Sequence, residues 1–158
     1  MSRPPFPDPL AFTKSLPEEA DALSAIALAS KAHWGYPQSL LAVWADALTV
    51  SPAYIRAHAV RTIWLAERRV GFFAIRTDAP LLDHLWLLPE AIGRGFGARA
   101  FAEIEKECVS LGIAAFEIVS DPNAEGFYLG RGAERVGETV SVPQGRMLPR
   151  LRYRVRLA

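Results

Sequence analysis

Cysteine is nearly absent from this chain: among 158 residues there is one, Cys108. A single thiol excludes an internal disulfide and a cysteine-based metal site, and such usage fits a reducing compartment, so the expectation is cytoplasmic. Excess charge is equally scarce, since 18 Lys and Arg against 17 Asp and Glu leave a formal net charge of +1. That balance gives no electrostatic case for nucleic acid or a membrane surface as partner. No apolar run approaches the ~20 residues that span a bilayer. The opening Met1-Ser2-Arg3-Pro4-Pro5-Phe6-Pro7 lacks the apolar core of a signal peptide and reads as part of an irregular lead-in over 1–14. His33, His58 and His84 lack the close helical pairing of a zinc site, so no metal is expected.

What remains is a chain able to bury roughly 70% of its unfolded surface, read as one domain over 1–158. Ser15 and Glu18 have capping-box spacing, and Leu23, Ile26, Ala27, Ser30 and Trp34 share one helical face, which predicts a helix over 17–34. Gly35 ends it, and Leu40, Leu41, Trp44 and Leu48 predict a second helix over 37–48. Ser51-Pro52 opens a short helical turn to Ala57. Strands over 60–67 and 70–76 form a hairpin turning at Arg68-Arg69. Residues 81–88 are apolar enough for a central strand covered on both faces, and Pro89 stops it. Phe101, Ile104, Cys108 and Leu111 predict a helix from Gly97, stopped by Gly112. A strand over 113–119, a short helix capped by Asp121 and strands over 134–142 and 148–157 follow. The order α-α-β-β-β-α-β-α-β-β implies an α/β chain with a mixed sheet flanked by helices.

The most informative stretch is Leu85-Trp86-Leu87-Leu88-Pro89 followed by Ile92-Gly93-Arg94-Gly95-Phe96-Gly97-Ala98. Glycines crowded between a strand and a helix start leave backbone N–H groups bare, with a helix dipole behind them, which suits a phosphate. The spacing resembles the pyrophosphate loop of the GNAT superfamily of acetyl-CoA-dependent N-acyltransferases, Arg/Gln-x-x-Gly-x-Gly/Ala. The glycines match, whereas Ile92 stands where that pattern has a polar side chain. Further on, Asp121-Pro122-Asn123-Ala124-Glu125-Gly126-Phe127-Tyr128 resembles the family's Asn-Ala-x-x-Phe-Tyr segment.

The resemblance implies a mostly antiparallel sheet in which the 81–88 and 113–119 strands run parallel and splay apart, with acetyl-CoA as co-substrate in the gap. By family position, N–H groups near Leu87 and Leu88 contact the thioester region. Those of Gly93, Arg94, Gly95, Phe96, Gly97 and Ala98 cradle the pyrophosphate, with charge from Arg94. Asn123 bonds pantetheine or a nearby carbonyl, and Tyr128 protonates the departing thiolate. Strand alternation sets Asp83 on the face of Leu85 and Leu87 and His84 on the opposite one. Asp83 is the candidate base for a protonated amine, which has a pKa of about 10.4 if it is lysine-like. His33, Trp34 and Tyr36, at the junction of the first helices, are candidates for the acceptor pocket.

The expected activity is therefore N-acetylation of a small-molecule or peptide amine by direct attack, in a monomer or homodimer. The spacing leaves two alternatives. An acyl-CoA-binding sensor would need the same loop without turnover. An NAD-type dinucleotide enzyme would share Gly93-x-Gly95 and Ala98, but its loop belongs in a first strand-helix unit, and here helices and a hairpin precede it.

Overall fold

The computed structural model describes residues 10–141 and 146–156. Its first element departs from expectation: Leu10–Lys14 is a strand, β1, and not irregular lead-in. Five residues with only Leu10 and Phe12 turned inward are too short to announce a strand by alternation, yet they pair antiparallel with the next strand in sequence. Ser15 is buried, and its Oγ lies 2.7 Å from Thr62 Oγ1. The capping carboxylate is consequently one residue later than its spacing suggests. Glu19 accepts the Leu16 N–H at 2.7 Å, closing a 3₁₀ turn over Pro17–Glu19.

Helix α1 spans Ala20–Ala32, α2 Gln38–Leu48 and α3 Pro52–Ala57, the last capped by Ser51 Oγ accepting the Tyr54 N–H. Strands β2 (Ala59–Leu65) and β3 (Arg68–Arg76) form the expected hairpin, but it turns at Ala66-Glu67, and Arg68 and Arg69 belong to the strand. Ala66 takes φ +54° to make that turn. Strand β4 is Leu81–Leu87, α4 Phe96–Leu111, β5 Ala115–Val119, α5 Glu125–Gly130, β6 Glu134–Val140 and β7 Met147–Arg154. The last two strands end short of expectation, since Ser141, Val155 and Arg156 are not strand, and the expected end residues Val142 and Leu157 lie outside the described residues. Asn123 falls before α5, in the turn that Asp121 stabilises by accepting the Asn123 N–H at 2.8 Å.

These strands form one seven-stranded sheet in the order β1-β2-β3-β4-β5-β7-β6, antiparallel except between β4 and β5. Successive residues Phe72 and Phe73 are both fully buried, which requires cover on both faces. Phe72 packs with Leu23, Ile26, Trp44 and Ile55 from α1 to α3, whereas Phe73 packs with Phe101, Ile104 and Tyr128 from α4 and α5. No helix among the described residues is long and apolar enough to cross a membrane.

Gly71 fixes how closely β3 and β4 approach where β4 ends. A Cβ there would stand 2.4 Å from the Trp86 carbonyl oxygen and 2.8 Å from Leu87 Cδ2. Because the first obstacle is backbone, no rotamer change relieves it. Gly71→Ala is expected to cost about 2–3 kcal/mol, read as a lower urea midpoint at unchanged slope.

Candidate active site

Strands β4 and β5 touch at one register pair, Leu81 opposite Glu117, beside which the Glu117 N–H donates to Pro80 O at 3.1 Å. Beyond that point they part. A bulge bends β4 at the same place: Ala74 faces His84 and Ile75 faces Leu82, so Asp83 has no opposite number. An extra residue breaks the alternation of side chains. The expectation that Asp83 shares a face with Leu85 and Leu87 is therefore corrected, as is the opposition of Asp83 to His84. Asp83 Oδ2 accepts the Tyr54 hydroxyl at 2.5 Å and lies 3.9 Å from His84 Nε2, while Leu85 packs on the opposite side with the α4 core. Burial holds the His84 imidazole below its ordinary pKa against the raising influence of Asp83, so the ring is neutral at pH 7. Its Nδ1 accepts the Trp86 indole N–H at 2.9 Å, which leaves the proton on Nε2, facing Asp83.

Backbone pairing decides which β4 amides are open. The Leu88 N–H donates to Val70 O at 2.7 Å, so the expected thioester contact from that N–H is corrected: it is committed to β3. Antiparallel partners alternate between hydrogen-bonded and non-hydrogen-bonded pairs, so Leu87 opposite Gly71 turns its N–H toward the β5 edge, where the strands have separated.

Past β4, Gly93 and Gly95 adopt φ +81° and +80°, and a Cβ on either would meet nothing within 4 Å. Conformation, not space, demands glycine there. The first helical bond of α4 runs from Arg99 N–H to Gly95 O, so the N–H groups of Phe96, Gly97 and Ala98 precede the helix ladder. The Phe96 side chain itself is core, packed with Ile63, Val70 and Ala100. Arg94 is exposed and stacks its guanidinium on that ring at 4.7 Å. Gly97 has a packing reason, since a Cβ would come 3.2 Å from the Phe127 ring of α5.

A cleft of about 440 Å³ opens between these elements, lined by Leu87, Gly93, Gly95, Gly97, Ala98, Asn123 and Tyr128 among others. A second cavity of about 230 Å³ on the α1–α2 side holds Asp83 and His84. The two share Leu85, Trp86, Asp121, Ala124 and Tyr128, so they meet where the strands part. Tyr128 is buried, and desolvation drives its phenol well above the ordinary value, so it keeps its proton and can donate it.

The three helix-junction aromatics separate. Trp34 lines the cleft rather than the second cavity, and His33 is exposed, edge-on to Trp34 at 5.2 Å. The Tyr36 hydroxyl donates to Asp121 Oδ2 at 3.1 Å and accepts from Asn123 Nδ2 at 3.0 Å. Asn123 Nδ2 also donates to Asp121 Oδ1 at 2.8 Å. Thus the Asn123 amide group serves the protein's own network. Lys31, paired with Asp121, and Arg146, 3.8 Å from the same carboxylate, complete it; neither was singled out by motif. Burial is the largest influence on Lys31 and lowers its pKa despite Asp121. Burial also raises the Asp121 carboxyl, but hydrogen bonds from Lys31 and the Asn123 N–H outweigh it and leave the group below the ordinary carboxylate range.

Solved structures of similar fold include acetyltransferases. A GCN5-related N-acetyltransferase of Rhodopseudomonas palustris superposes with TM-score 0.76 at 21% identity, covering 94% of this chain and 96% of that one. The PaiA N-acetyltransferase of Thermoplasma acidophilum gives 0.71 at 17%, over 92% and 99%. The ribosomal-protein-S18-alanine N-acetyltransferase of Escherichia coli gives 0.67 at 14%, over 94% and 96%. A sequence search of curated proteins finds no match. The acetyltransferase (GNAT) domain matches residues 37–149, more than half of the sequence, and the chain belongs to that family of acyltransferases. The dinucleotide alternative falls with the sheet, whose only parallel pair among the described residues is β4–β5.

Because Asp121 is depressed in the folded state, its contribution to stability is complete above the unfolded carboxyl value of about 3.9 and is lost as pH falls through the folded one. Asp121→Asn should cost about 3 kcal/mol at pH 7, the low end for a broken buried pair because Lys31 can shed its proton. The variant should also lose part of the wild-type decline in thermal midpoint below pH 4.

Proposed function

We propose that this chain is an N-acetyltransferase that moves the acetyl group of acetyl-CoA to an amine by direct attack in a ternary complex. The single observation that carries the reading is the meeting, at Tyr128, of a cleft bordered by Leu87 and the glycine loop with a separate cavity that holds Asp83, His84 and Arg146. Donor and acceptor each have a chamber, and the chambers share one wall. The similarity to the Thermoplasma acidophilum enzyme, whose structure is a complex with coenzyme A, supports assigning the cleft to the donor.

In this reading the amides of residues 93–98 hold the pyrophosphate, assisted by the dipole of the sixteen-residue helix α4. The Leu87 N–H bonds the thioester carbonyl oxygen and strengthens as that oxygen gains charge, a donor type whose loss commonly costs ~10²–10³ in rate. Asp83, a carboxylate lining the acceptor cavity, takes the amine proton through water. The neutral amine nitrogen then bonds the acetyl carbon, the carbon–sulfur bond breaks as the Tyr128 hydroxyl protonates the sulfur, and the proton that the acylated nitrogen sheds restores the Tyr128 phenol. Tyr54 positions Asp83 through their 2.5 Å hydrogen bond.

Calorimetry with acetyl-CoA is expected to give a saturable heat. Gly95→Val should weaken it at least ~10-fold, because a β-branched residue is strained at positive φ, whereas Leu87→Ala should change it little. In a thiol-release assay over a panel of amines, Asp83→Asn should lower kcat about 100-fold. Tyr128→Phe should lower it only about 10-fold, since a thiol of pKa about 8.5 is already a fair leaving group. Absence of any heat with acetyl-CoA or coenzyme A would refute the reading.

A further inference from the structure

The acceptor cavity carries more specificity than its volume suggests, and the feature responsible is Arg146. Its backbone is pinned on both sides: the Ser141 N–H donates to Arg146 O at 2.7 Å, and the Arg146 N–H donates to Ser141 Oγ at 3.0 Å. Its guanidinium lies 4.9 Å from the Trp44 ring centroid and 5.3 Å from that of Tyr36, two rings that are themselves perpendicular at 4.8 Å. Held at backbone and head, the side chain is arranged before any ligand arrives. Lys31 Nζ lies over the same rings, at 4.6 and 5.0 Å.

Two cations thus share one nearby carboxylate, Asp121. That carboxylate already accepts from Lys31, from the Tyr36 hydroxyl and, at Oδ1, from both nitrogens of Asn123. Arg146 stands 3.8 Å away, beyond hydrogen-bond distance; its side chain is 28% exposed and lines the cavity. The cavity's other carboxylate, Asp83, receives the Tyr54 hydroxyl and neighbours the neutral His84. The Arg146 end therefore has a surplus of one positive charge and a fork that matches a planar two-oxygen anion. A monoanion balances that surplus; a phosphate dianion overshoots it.

We infer that the acceptor is a small amine that also bears a carboxylate, an amino-acid-like molecule whose carboxylate is held by Arg146 while its nitrogen faces the parted strands beside Tyr128. This rests on the transfer reading above. A polyamine fits poorly, because it would bring further positive charge to a cluster already in surplus.

The test is thiol release from acetyl-CoA with the full chain, offering free amino acids, the same amino acids as C-terminal amides, and spermidine. Expected is at least one free acid preferred over its amide by 10-fold or more in kcat/KM. Arg146→Gln should bring that ratio toward one by raising the KM for the acid, and Arg146→Lys should fall between, because it keeps the charge without the fork. Calorimetry with acetyl-CoA on each variant guards against a folding defect. Amides or spermidine acetylated as well as the acids would overturn the inference and leave the transferase reading standing. So would an acid-to-amide ratio that survives Arg146→Gln. Acetyl-CoA binding without turnover of any amine would overturn both.

Discussion

The separation of β4 from β5 is the constraint on which the rest of the structure depends. One register pair, Leu81 with Glu117, joins them. Past it the bulge at Asp83 turns β4 away, and Gly71 lets β3 follow closely enough for the Leu88 N–H to reach Val70 O. The strand is held firmly on its β3 edge and left bare on the other. A bare edge in a protein interior is unfavourable unless something supplies partners for its amides. Here the vacant edge borders a cleft wide enough for a ligand, so the cost of interrupting the ladder produces a row of fixed donors.

Where the ladder between β4 and β5 is interrupted, a polar network ties α1 to the β5–α5 turn. Lys31 comes from α1, Tyr36 from the turn after it, Asp121 and Asn123 from the segment after β5, and Arg146 from the residue just before β7. Buried ion pairs of this kind add little net stability compared with apolar packing, but removing one partner is expensive because the other charge is left without compensation. Such a network fixes position more than it adds stability. Its centre, Asp121, lines both cavities, as Ala124 and Tyr128 do.

Much of this was readable from residues and part was not, for identifiable reasons. Helical periodicity located α1, α2 and α4, and the glycine run located the loop, because these signals repeat over several residues or depend on a residue type with one conformational advantage. The bulge was invisible: Leu81 to Leu87 reads as one apolar strand, and the displaced residue declares itself only through the register against Ala74 and Ile75. That hidden slip reversed the face of Asp83 and concealed its partner Tyr54, 29 residues away in sequence. The Leu88 amide was likewise assigned to the gap because sequence gives no hydrogen-bonding phase. Lys31 and Arg146 carried no motif at all; only a fold joining residues 31, 121 and 146 makes them a unit.

A division of labour follows from which atoms face which chamber. The cleft borders the main chain at Leu87 and at Gly93, Gly95, Gly97 and Ala98, and a backbone N–H survives nearly every substitution. The neighbouring cavity is lined by Lys31, Asp83, His84, Asp121 and Arg146, whose chemistry disappears when any one is replaced. Folds that superpose at TM-scores of 0.67 to 0.76 with only 14 to 21% identity are what this arrangement permits. On the transfer reading proposed above, altering the acceptor would require changes at only a few side chains on the far side of Tyr128, whereas altering the donor would require rebuilding the separation of two strands.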